Sequence, residues 1–303
     1  MILIALIVIA STAVGVLADR RTPLATRASQ LTLRVMLYGL LPFVAFVNFA
    51  HLRLSLGAGL GLVAAYVGLG LAGLGAWLLG RRLGLDRPGV GALIIAVILV
   101  NTGYLGLPAS TVLLGRHALT RAVAYDQVIS GPMVFTVGFA IGAAFGTRSR
   151  HGRGLRQSVA AFAANPPLWA ALAGLIGGPS LAPRALLDVS GVIVKAFLVL
   201  GFFAVGVALS SERREEGAGI FERPDRAVLA ALAVRFSVNP ALLGLLSLAG
   251  LGVPSAYLLQ AAMPSGVNGL IIAHAYGLDQ RLVATTIVWS TLVVLVVAVA
   301  VAV

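Results

Sequence analysis

The chain reads as an all-α membrane protein of ten transmembrane helices, on three observations: its apolar excess, the spacing of its apolar runs and the placement of its basic residues. Of its 303 residues 59% are hydrophobic and 11% charged, with a mean hydropathy of +1.01, far outside the balance of water-soluble domains. A hydrocarbon core takes roughly 20 apolar residues per helix, so helices and short loops fill this length in about ten crossings. No stretch is left over for a soluble domain.

The first span is the run from Ile2 to Leu17. No basic residue precedes it and no convincing small-residue cleavage site follows, so it is read as a helix and not as a signal peptide. Further apolar stretches cover 33–50, 58–79, 91–114, 121–145, 158–177, 188–209, 228–249, 255–274 and 282–302. The two longest connections, Arg148 to Arg156 and Glu212 to Arg226, are also the most charged and read as loops at one membrane surface.

Orientation follows from the basic residues, because Lys and Arg near helix ends stay on the cytoplasmic side. Of the 22, the odd-numbered connections hold 16: Arg20, Arg21, Arg27 and Arg34; Arg81, Arg82 and Arg87; Arg148, Arg150, Arg153 and Arg156; Arg213, Arg214, Arg223 and Arg226; and Arg281. The even-numbered connections hold 4, Arg53, Arg116, Arg121 and Arg184, while Lys195 and Arg235 fall inside apolar runs. This bias puts the odd connections inside and both termini outside, which requires an even number of crossings. The net charge of +12 is thus spread in short clusters without the interleaved aromatics of a nucleic-acid face. Cysteine is absent, which excludes disulfides, thiolate nucleophiles and Cys-ligated metals.

Five helices per half would turn the second half upside down relative to the first, with the halves at 1–150 and 151–303. Pro108 follows Ile2 by 106 residues, and Pro264 follows Ser158 by 106. The fourth helix of each half is therefore interrupted at a matching place. One break reads Asn101-Thr102-Gly103-Tyr104-Leu105-Gly106-Leu107-Pro108-Ala109-Ser110, the other Met263-Pro264-Ser265-Gly266-Val267-Asn268-Gly269. Proline lacks an amide donor and crowds the preceding turn, leaving carbonyls that hydrocarbon cannot satisfy. Matched breaks of this kind point to a midplane binding site of a secondary transporter. The competing reading is a simple proline kink, and paired breaks rich in Asn and Ser count against it.

At these residues the sequence resembles the auxin efflux carrier family, whose wider superfamily includes the bile acid sodium symporters. The resemblance covers nearly the whole chain and is carried by Asn101 to Pro108, Met263 to Asn268 and Ala273-His274-Ala275-Tyr276-Gly277-Leu278-Asp279. Leu41-Pro42, Asn165-Pro166-Pro167-Leu168, Arg235-Phe236 and Asn239-Pro240 support it. It implies two inverted five-helix repeats whose fourth and ninth helices cross at their breaks, and export or exchange of small organic anions by alternating access. The short segment 146–157 resembles a bacterial member, placed in the inner membrane, and differs from the long central loop of plant members.

Asn101, Thr102, Ser265 and Asn268 flank the breaks and offer uncharged donors and acceptors, suited to a carboxylate or a partly dehydrated ion. Gly103, Pro108 and Pro264 shape the same site; helix–helix adhesion is the competing role for such polar residues. Asn48, late in the second helix, joins the site if that helix contributes as the resemblance implies, or meets water at a helix end. Lys195, two turns into the seventh helix, attracts the anion, pairs with Asp188 or snorkels to the outer interface. Arg235 is expected to snorkel to the cytoplasmic headgroups as a mainly structural residue. Asp126, a turn into the fifth helix, is placed to carry a coupling proton; its competing role is to cap an outer helix end beside Arg121.

Other motifs dissolve. Gly68-Leu69-Gly70-Leu71-Ala72-Gly73 matches a dinucleotide fingerprint in letters but follows no strand, so it reads as glycine-mediated helix packing. His51, His117, His151 and His274 are scattered and predict no metal site. The scarcity of intramembrane acids argues against an enzyme, and no phosphate-binding loop is present to use ATP. No cofactor is expected beyond H⁺ or Na⁺ as coupling ion. The expected partners are membrane lipids, a small organic anion and a second copy in a homodimer, with no nucleic acid. A sodium-coupled organic anion symporter of the bile acid carrier type is the alternative within transport, and a channel or sensor the alternative outside it.

Overall fold

A computed structural model describes residues 2–22, 24–52, 55–147, 166–215 and 223–301. Helix α1 (Ile2–Arg21) ends on Arg20 and Arg21, cations that suit the negative end of a helix. Helix α2 (Leu24–Val35) passes through a π-helical turn, Met36–Leu40, into α3 (Leu41–Ala50). Residues 24–34 are thus helical and not the basic connection expected before residue 33. The reason is a one-sided pattern: Ala25 and Ser29, one turn apart, are buried, while Arg27 and Arg34 point outward.

Side-chain caps set the next starts. Ser55 accepts the Ala58 amide at the head of α4 (Leu56–Arg82), and Asp86 accepts the Gly89 amide at the head of α5 (Arg87–Ile98). After an extended break, a π-helical turn at Thr102–Gly106 leads into α6 (Leu107–Leu113). Helix α7 (Leu119–Tyr125), two π-helical segments at Asp126–Ser130 and Met133–Gly138, and α8 (Phe139–Phe145) run on without interruption.

Helix α9 (Pro166–Gly177) continues the expected span 158–177, whose start, with Asn165, lies outside the described residues. Helix α10 (Arg184–Glu215) overruns its expected end at 209, because the Glu and Arg residues of its last turns favour helix once beyond the apolar stretch. The connection expected from Glu212 therefore begins as helix; its remainder to residue 222 and the segment Arg148 to Arg156 fall outside the described residues. Asp225 caps α11 (Arg226–Leu248). Helices α12 (Ser255–Ala261) and α13 (Asn268–Tyr276) flank the second break, and α14 (Gln280–Val301) closes the chain.

Among the described residues four helices are long and apolar enough to cross a membrane alone: Leu56–Arg82, Arg184–Val207, Arg226–Leu248 and Gln280–Ala298. Tyr38–Ala50, Arg87–Ile98, Thr136–Phe145 and Pro166–Gly177 are shorter apolar helices. Breaks and π-helical turns cut several of the expected uniform spans into such pieces. Helix α1 packs along α10, α3 along α9, and α2 and α3 against α10. Helix α4 packs on α5 and α11, α5 also on α8, α11 and α14, and α12 and α13 complete this second bundle with α6 and α7. The bundles meet where α3 touches α7 and α10 touches α6 and the turn before it. Within the second bundle a Cβ on Gly68 would lie 2.4 Å from Asn239 Oδ1 of α11, so the fingerprint-like run is a packing face.

Candidate functional site

The two breaks touch. Val100 and Ser265 form an isolated antiparallel bridge, in which the Asn101 amide donates to the Pro264 carbonyl at 2.8 Å and the Gly266 amide to the Leu99 carbonyl at 2.7 Å. A Cβ on Gly266 would sit 3.0 Å from the Val100 oxygen, which is why glycine stands at the closest approach.

Several further backbone groups freed by the breaks are matched behind the crossover, as an apolar layer demands. Ser265 Oγ donates to the Ala96 carbonyl at 2.6 Å, and the Ser265 amide donates to Ser290 Oγ at 3.1 Å. Arg235 contributes most. Its Nε donates to the Met263 carbonyl at 3.0 Å, Nη1 to Val97 at 3.1 Å and Nη2 to Ala261. The side chain is 0% exposed, so Arg235 does not snorkel to headgroups as its position in the sequence suggested; it reaches inward because the ends of two cut helices offer acceptors there.

A cavity of about 510 Å³ adjoins the crossover, within the range typical of small-molecule sites. Asn101, Thr102, Gly103, Tyr104, Gly266, Val267 and Asn268 line it from the breaks; Asp126, Gln127, Ser130 and Val134 from the fifth span; Arg34, Tyr38 and Leu41 from the first bundle. It lies between the two bundles, with the exposed Arg34 and Tyr38 at its rim. The four π-helical segments among the described residues all supply lining residues, in keeping with the use of widened helical turns at functional sites. Proline explains one of them: Pro132 has no amide to offer the Val128 carbonyl four residues earlier, and the Tyr66 hydroxyl donates to that oxygen instead.

Inside the cavity Asp126 is 8% exposed. Thr102 Oγ1 donates to its Oδ1 and Gln127 Nε2 donates to its Oδ2 at 2.8 Å. Among the described residues no cation forms an ion pair with it. The Ser130 hydroxyl beside it is buried without a protein partner. Asn101 Oδ1 accepts the Leu105 amide at 3.3 Å, so the second half of the first cut helix starts at the cavity wall, as α13 does at Val267 and Asn268.

The structure brings Asn101, Thr102, Gly103, Asn268 and Asp126 together on this cavity. Asp126 faces Thr102 and does not cap a helix end beside Arg121. Pro108, Pro264 and Ser265 are buried behind the wall and do not line it. Asn48 lies elsewhere, fully buried, donating to the Val44 carbonyl at 2.9 Å and Ser190 Oγ at 2.8 Å while accepting from Thr120 Oγ1 at 3.1 Å. That junction joins three helices and leaves Asn48 no donor to offer a solute. Lys195 is on an exposed face away from the cavity, and Asp188 pairs with Arg116 instead. Arg34, Tyr38, Tyr104, Gln127 and Ser130 were missed; Gly39 with Pro42, and Gly131-Pro132, are the sequence signals that mark their turns.

Comparison with known proteins gives a consistent result. The family described as membrane transport protein matches residues 154–301. An uncharacterized transporter of Methanothermobacter thermautotrophicus is 29% identical over 233 residues, 75% of this chain and 72% of that one. An uncharacterized transporter of Methanocaldococcus jannaschii is 29% identical over 233 residues, 72% of this chain and 70% of that one.

Proposed function

The chain belongs to the membrane transport protein family, that of the auxin efflux carriers, and on that premise we propose that this transporter moves small organic anions by alternating access through the cavity beside the crossed breaks. The observation that carries the reading is that two half-helices begin at the cavity wall. Helix starts present unpaired amides and a partial positive charge, an arrangement suited to a carboxylate, and Asn101, Thr102 and Asn268 add neutral donors beside them. Arg34 at the rim attracts the same charge from solution.

The reading takes the chain as ten spans in two inverted five-helix repeats, 1–150 and 151–303. In support, each half gives its first two spans to one bundle and its last three to the other. The basic residues put both termini outside and the Arg34 rim at the cytoplasmic face of a bacterial inner membrane. Asp126 carries the coupling proton: its ionised carboxylate would repel a solute carboxylate in the same cavity, so the two enter favourably only with a proton between them.

Thermal-shift screening of the purified protein with dicarboxylates and aromatic acids, followed by counterflow in liposomes, tests this. Stabilisation by at least one acid and saturable flux accelerated by counter-substrate are expected. Linear, non-saturating flux would identify a channel and end the carrier reading. A sodium-coupled symporter is the second reading, favoured by the cluster of Asp126, Gln127 and the unpartnered Ser130 hydroxyl; binding that requires Na⁺ and ignores pH would select it.

A further inference from the structure

We propose that Arg235 is the positioning residue that sets the sign of the site: a buried cation behind the crossover that clasps both cut helices and cancels their negative ends, so that the cavity selects anions. The inference rests on the anion-carrier reading above and adds what makes that cavity anion-selective.

A clasp alone needs donors, not a charge, and buried charge in an apolar layer is costly. Among the described residues no carboxylate pairs with Arg235, and a guanidinium stays protonated in proteins. Its three acceptors are instead the carbonyls of Val97 and Ala261, in the last turns of α5 and α12, and of Met263 in the second break. Each helix C-terminus carries roughly half a negative charge and each N-terminus roughly half a positive one.

Two C-termini and two N-termini meet at the crossover, so the four ends alone sum to about zero. One guanidinium placed on the C-terminal pair changes that sum to about one positive charge. The N-terminal pair faces the cavity: Asn101, four residues from Val97, and Gly266, three from Met263, both line it, so the backbone that Arg235 holds leads directly into the cavity wall. An ionised Asp126, held against Thr102 at the start of the first half-helix, would restore neutrality. Proton and anion therefore enter together because of a charge that neither of them touches.

The test uses a locked crossover so that structure and charge separate. Val100 and Ser265 face each other across an antiparallel bridge, where Cα atoms lie about 4.5–5.5 Å apart, within disulfide reach, and the chain has no cysteine of its own. Arg235→Gln and Arg235→Lys are made in the wild type and in the cross-linked Val100→Cys/Ser265→Cys background. The probes are benzoate and its uncharged counterpart benzamide, with succinate as a second anion, read by thermal shift. Glutamine keeps donors without charge, and lysine keeps charge with fewer fixed donors. In the locked background, Arg235→Gln is expected to raise the half-saturating concentration of the anions by about tenfold or more with any benzamide response unchanged, and Arg235→Lys to restore anion binding. Equal anion affinity in locked Arg235→Gln and its locked parent, or equal losses in Gln and Lys, overturns the inference alone. A wild type stabilised by no carboxylate overturns the carrier reading and the inference with it.

Discussion

Asp126 and Arg34 are the acidic and basic side chains of the cavity, and Tyr38 and Tyr104 are its other ionisable groups. As pH rises, Asp126 loses its proton and the repulsion between two carboxylates returns, so anion uptake by the wild type is expected to fall. Asp126→Asn keeps the shape without the charge. In liposomes it is expected to bind and exchange the anion at all pH values and to lose acceleration by an imposed proton gradient; a mutant still driven by the gradient would remove Asp126 from the coupling. Asn48→Ala is expected to lower stability by about 1–3 kcal/mol, since Ser190 and Thr120 lose a buried partner, with solute affinity in thermal shift unchanged. Lys195→Ala is expected to transport like the wild type in counterflow. At this scale the sequence located Asn101, Thr102 and Asn268 beside the breaks, and the structure sets them on the cavity. It could not place Asn48 and Lys195, because a residue's own position does not reveal whether a neighbouring helix engages it or whether its face turns outward.

The breaks were the most legible elements, since proline and glycine act on the backbone locally. The π-helical turns were not, because a widened turn has the same apolar letters as an ordinary one. Gly131-Pro132 marked a proline in the fifth span, but only the fold supplies Tyr66 to cover the orphaned Val128 carbonyl. Pro132→Ala restores an amide that competes for that oxygen. It is expected to tighten the turn, pull Ser130 from the cavity wall and weaken anion binding in thermal shift, whereas unchanged binding would show that the widened turn serves packing alone. Gly266→Ala places a methyl 3.0 Å from the Val100 oxygen. Overpacking of this kind costs about 1–3 kcal/mol, so the melting temperature is expected to fall, with a larger fall for Gly266→Val.

That the chain is built of apolar helices could be read from hydropathy, but the sorting of helices into two bundles could not, because both bundles are apolar and only contact distinguishes them. Orientation remains testable without any background mutation, since the chain has no cysteine. Arg82→Cys and His117→Cys, both exposed, are expected to react with a membrane-impermeant maleimide from opposite sides, with His117→Cys labelled in intact cells; the reverse would invert the topology. The ion pair of Arg116 with Asp188 joins the bundles near His117, and being largely exposed it contributes at most about 1 kcal/mol. Arg235, Ser290 and both cut helices all belong to one bundle. On the proposed carrier reading, a solute gripped by the half-helix ends would be cargo lashed to a single raft: were the raft to tilt, none of the lashings would have to be undone. The contacts that such a motion must rearrange are then those along the seam with the neighbouring bundle, where Thr120 meets Asn48 and Arg116 meets Asp188.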